Sequence, residues 1–104
     1  MAKVKVTVVK KMRIEDVYGK KLPKVAPTFK SPCHMPFKEG DSFIFELGEP
    51  VPDGFCTWAY ADLQRDITHL MLGGDYPWLI EKGVNYAACT DGLRPVIFKI
   101  ERIK

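Results

Sequence analysis

The sequence predicts an α+β domain, a small antiparallel sheet or partly open β-barrel packed by one amphipathic helix over about residues 57–72. Two observations carry this. Both ends of the chain alternate apolar and polar residues with the period of a strand, and one stretch between them repeats with the period of a helix. A third is the hairpin-type link near the C-terminus, which suits antiparallel pairing.

The helix is the clearest element. Ala59, Leu63, Ile67 and Leu70, with Met71 beside them, recur on one face, and the same spacing places Asp62, Arg65, Asp66 and His69 opposite. Thr57 is the expected N-cap, its hydroxyl accepting from a first-turn amide. Gly73-Gly74 supplies the stop. A helix this short is marginal alone, so its apolar face must lie on a sheet or another chain.

In chain order, residues 2–10 read as the first strand, with Val4, Val6 and Val8 alternating with Lys3, Lys5 and Thr7. Residues 11–32 are irregular. Arg13–Tyr18 suits a helical turn or a short strand ended by Gly19, and Pro23, Pro27 and Pro32 exclude a long helix or central strand. A short edge strand is expected near Val25–Lys30, and a segment of this kind suits a lid or subunit contact.

Lys38–Asp41 reads as a turn and Ser42–Glu46 as the second strand, with Phe43 and Phe45 on one face and Ile44 on the other. Leu47–Gly54 is a loop leading to the helix. Beyond the helix, Asp75–Trp78 is an aromatic turn, which either walls a pocket or plugs the core with Trp78. Tyr86–Cys89 reads as the third strand, Asp91-Gly92 as a two-residue hairpin turn, and Arg94–Arg102 as the last strand.

A chain of 104 residues suits one domain with a modest core. Its 46 % hydrophobic and 28 % charged content is that of a folded globular protein. No apolar run reaches the length of a membrane span, and the lysine-rich N-terminus lacks a signal-like apolar stretch, so a cytoplasmic location is expected. The net charge of +3 is mild, with the basic excess concentrated at Lys3, Lys5, Lys10, Lys11, Arg13, Lys20, Lys21 and Lys24. No nucleic-acid-binding motif accompanies it, so a solvated face of an edge strand is the simpler expectation. The odd count, 3 cysteines, with no leader argues for reduced thiols.

These residues frame the candidate chemistry. Cys56 precedes the first helical turn, where backbone amides favour a negative group such as a thiolate, although free cysteine is also commonly just buried. Cys89 closes the third strand and Arg94 follows the turn. Cys56 is the candidate nucleophile and Arg94 the anion clamp, with Asp91 and Asp62 as orienting or acid–base groups. Trp58 and Trp78 are candidate ligand-stacking residues. An alternative is a metal site built from Cys33, Cys56 and Cys89 with His34 or His69, though no Cys-x-x-Cys pair supplies a local chelate.

From Gly40-Asp41 onward the chain resembles a small family of uncharacterised prokaryotic proteins frequent in anaerobes, the match covering about the last seventy residues. The resemblance rests on Cys33, Gly40-Asp41, Gly54-Phe55-Cys56-Thr57-Trp58-Ala59, Asp62, Gly73-Gly74, Pro77-Trp78 and Cys89-Thr90-Asp91-Gly92-Leu93-Arg94-Pro95-Val96. It implies no activity. The family often carries a histidine where this chain has Phe37, a departure that weakens any metal site built on it.

Three functional expectations therefore stand side by side. The first is a domain, catalytic or not, that binds a small anionic molecule or cofactor near Cys56, Cys89 and Arg94. The second is a cysteine-ligated metal protein. The third is a homo-oligomeric interaction module that uses Trp58, Tyr60, Tyr76 and Trp78. No residue pattern names the cofactor or ligand.

Overall fold

The computed structural model describes residues 3–103, so Ala2 of the expected first strand lies outside the described residues. The elements are β1 (Lys3–Lys11), α1 (Ile14–Tyr18), β2 (Ser42–Glu46), α2 (Thr57–Met71), β3 (Val84–Ala88) and β4 (Val96–Arg102). The strands form one antiparallel sheet in the order β2-β1-β4-β3. The outer strands β2 and β3 do not pair with each other, so the sheet is open and the barrel alternative does not apply. The lysine-bearing β1 lies inside the sheet, not at its edge, because its backbone pairs with β2 on one side and β4 on the other.

The core forms where α2 lies on one sheet face. Val4, Val6, Val8, Val96, Phe98 and Ile100 meet Ala59, Leu63, Ile67 and Leu70 there, all buried. Each such side chain removed from water stabilises the fold by about 1.5–3 kcal/mol, less for Ala59. Phe55 ties the start of α2 to the sheet, its ring 5.1 Å from Phe43, 5.2 Å from Phe45 and 5.7 Å from Phe98.

This anchorage decides where α2 begins. Cys56, not Thr57, is the N-cap, with extended backbone and its carbonyl accepting from the Tyr60 amide at 2.9 Å. Thr57 is the first helical residue and is exposed. Burial of Phe55 outweighs the ordinary preference for a hydroxyl cap, and no side chain caps the first turn. At the other end Gly73 takes φ +95°, as the glycine stop requires. Arg102 reaches across from β4 and donates to the carbonyls of Leu70 at 2.8 Å and Gly74 at 2.7 Å.

A bulge at Val9 shifts the register of β1 against β4. Val8 pairs with Phe98, but Lys10 pairs with Ile97 and Lys11 with Val96. The extra residue turns Lys11, instead of Lys10, toward the core face. There its ammonium donates to the carbonyls of Met35 at 2.7 Å and Phe37 at 3.0 Å.

Three local expectations are corrected. Residues 25–30 form no strand. The prolines remove backbone donors, and Phe29 and Lys30 pack on the loop after β3 instead of on a sheet edge. The third strand starts at Val84 and ends at Ala88, one residue before Cys89. The link to β4 is not a two-residue turn but a wide loop over residues 89–95. Asp91 draws the Leu93 and Arg94 amides inward, while Cys89 N–H to Val96 carbonyl, 3.1 Å, closes its base.

Candidate functional site

The first turn of α2, the 89–95 loop and the segment after Pro32 meet around one cavity of about 490 Å³. Its floor is apolar, built from Phe37, Ala59, Val96 and Phe98, and Met35 and Leu93 also line it. Cys33, Cys56 and Cys89 all stand in its wall, each half-buried. His34, Trp58, Thr90, Asp91 and Arg94 complete the lining. Sequence-distant residues are brought together here by the antiparallel pairing of β3 with β4 and by Lys11, which pins the 35–37 backbone.

Thr90, Asp91, Arg94 and the Trp58 indole are each held by hydrogen bonds. Asp62, one turn into α2, accepts from the Thr90 amide at 2.8 Å and from the Thr90 hydroxyl at 3.0 Å. That hydroxyl in turn accepts from the Trp58 indole N–H at 3.1 Å, which fixes a ring that remains 64 % exposed. Asp62 therefore acts behind the wall and is not itself part of the lining. Cys89 Sγ accepts from the Val96 amide at 3.4 Å.

Arg94 is fixed at the rim from three sides. Its Nε donates to Asp91 at 3.0 Å, its Nη1 donates to the Lys30 carbonyl at 2.8 Å, and its guanidinium lies 4.6 Å from the Phe29 ring centre. Burial by itself pushes the Asp91 carboxyl up. The Leu93 and Arg94 amides and the Arg94 guanidinium outweigh it, and hold Asp91 below the ordinary carboxylate range. The Tyr18 hydroxyl donates to the Gly92 carbonyl at 2.6 Å, so the irregular 11–32 region serves as a strap along this rim.

Trp78 lies apart from the cavity. It is 68 % exposed, so it neither plugs the core nor joins Cys56 and Cys89. It flanks a second concavity with Asp66, Tyr76 and Asn85. Asp66, expected on the solvated face of α2, is buried to 5 % exposure. Its place three residues after Leu63 and seven after Ala59 is a core-facing spacing, a signal available in the sequence but masked by its charge. Arg65 forms no ion pair among the described residues.

No group of three or more His, Cys, Asp or Glu side chains among the described residues is arranged to hold a metal ion. No helix among them is long and apolar enough to cross a membrane. No protein family, curated protein or solved structure matches the chain.

Proposed function

We propose that this protein is a small-molecule-binding domain whose ligand occupies the cysteine-lined cavity. The ligand has a compact apolar body and one anionic group. The observation that carries this reading is the convergence of Cys33, Cys56 and Cys89 with Arg94 around a single apolar-floored cavity. Its volume lies in the range of small-molecule sites, in which apolar walls supply affinity and a few fixed polar groups supply orientation.

The apolar body rests on Phe37, Val96 and Phe98, beneath the exposed face of Trp58. The anionic group sits at the rim, at Arg94. Two of the nitrogens of its guanidinium are already committed, while Nη2 donates to nothing among the described residues. Asp91 partly neutralises that cation, so moderate affinity is expected. The carboxylates of Asp91 and Asp62 are engaged by loop amides, which favours binding over acid–base catalysis by Cys56 and Asp91.

The test is a screen of small aromatic carboxylates, read by quenching of tryptophan fluorescence and by the rate at which a thiol reagent labels the three cysteines. A binder slows labelling saturably, and Arg94→Gln and Trp58→Ala each weaken that protection. Compounds that quench fluorescence while leaving all thiol rates unchanged would place binding outside this cavity and overturn the reading.

A further inference from the structure

The second concavity, about 430 Å³, opens between α2 and the edge strand β3, with Trp78 in its lining. At its base lies Asp66, a carboxylate with 5 % exposure and no cationic partner among the described residues. A buried carboxylate normally has a compensating charge, because desolvation penalises the ionised form heavily. Here only neutral donors reach it. The Tyr76 hydroxyl and the Asn85 amide, the latter at 3.3 Å, both donate to Oδ1. Oδ2 accepts no hydrogen bond among the described residues, and Asp66 is part of the lining.

The walls are aromatic. The Tyr76 and Trp78 rings lie 4.9 Å apart and are tilted by 36°, and the His69 ring lies 4.9 Å from Tyr76. The Trp78 indole N–H donates to Asn85 Oδ1 at 3.1 Å, so the same asparagine orients the indole and supports the carboxylate. Burial, together with the Asp66 bond and charge, pushes the Tyr76 phenol well above the ordinary tyrosine range, so the phenol stays protonated and remains a donor.

We infer that this groove is a binding site for a small organic ammonium ion, whose N–H donates to Asp66 Oδ2 while its alkyl groups lie against Tyr76 and Trp78. The charge of the ligand supplies the compensation that Asp66 lacks, and aromatic faces attract cations. Arg65, exposed and also in the lining, opposes entry of a cation, which limits affinity for a simple amine. This site is independent of the cysteine-lined cavity, where Trp58 lies.

The full chain, labelled with nitrogen-15, is titrated with butylammonium chloride while the two indole N–H resonances are followed by NMR. The expected result is a saturable shift at Trp78 with Trp58 unmoved, and no such shift with sodium chloride at equal ionic strength. Tetramethylammonium, lacking an N–H, binds more weakly. Asp66→Asn weakens butylammonium by about tenfold or more, the scale of one charge-assisted hydrogen bond, and Arg65→Ala tightens it. If Asp66→Asn does not fold, Trp78→Ala, at an exposed position, decides the matter, with the Asn85 side-chain amide as reporter. It too must lose binding. A titration that sodium chloride reproduces, or one unchanged in these variants, overturns the inference.

Discussion

Asp62 and Thr90 are joined by a 2.8 Å bond from the Thr90 amide and a second from its hydroxyl, which ties the loop after β3 to the first turns of α2. One carboxylate thereby sets the distance between the two walls that carry Cys56 and Cys89. It also orients Trp58, because the Thr90 hydroxyl it holds is the acceptor for the indole.

Asp62→Ala is therefore expected to cost about 1 kcal/mol, the value of a charge-assisted bond reduced for its partly exposed setting. Urea unfolding measures the cost. The more specific effect is on Trp58, whose indole N–H resonance should move toward that of a free indole and whose fluorescence should become more readily quenched by iodide.

Lys11 acts on the opposite wall. Its two bonds to the carbonyls of Met35 and Phe37 tie β1 to the chain just after Cys33. Lys11→Met keeps the stem but leaves both carbonyls without this donor. Hydrogen exchange at residues 33–37 should accelerate, and Cys33 should label faster than in the parent protein, with Cys89 unaffected.

Gly83 has φ +73°, and a Cβ there would lie 3.2 Å from the Arg102 guanidinium. Its amide also donates to Asp75 at 2.6 Å. Gly83→Ala is expected to destabilise by about 1–2 kcal/mol through backbone strain. Because Arg102 caps α2 at Leu70 and Gly74, the loss should be accompanied by faster exchange in the last turn of that helix.

The Asp91 carboxyl titrates below its ordinary value of 3.8 in the folded protein. A carboxyl depressed by folding contributes stability that is fully present above the unfolded value and disappears as the pH falls through the folded one. The 89–95 loop should therefore hold at neutral pH and loosen only in strong acid. The amide resonances of Leu93 and Arg94 report this, and Asp91→Asn should abolish their acid transition.

Much of the fold was legible locally. Val4, Val6 and Val8 against Lys5 and Thr7, or Ala59, Leu63, Ile67 and Leu70 around one helix face, state which side of an element is apolar, because side-chain direction repeats with backbone period. Gly73 marked the end of α2 for a similarly local reason, the backbone freedom of a residue without Cβ. The neighbourhood of Cys56, Cys89 and Arg94 followed from placing a helix start beside a hairpin end.

Tertiary structure decided what no local period contains. The bulge at Val9, which turns Lys11 inward, exists only through the pairing of β1 with β4. Asp66 is buried because Tyr76 and Asn85, distant in the chain, supply the donors that make its burial tolerable. Trp78 belongs to that groove and not to the cysteine-lined cavity because Asn85 on the edge strand holds its indole. Periodicity reports one face of one element; which faces meet, and which polar groups they bury together, is set by pairings between distant residues.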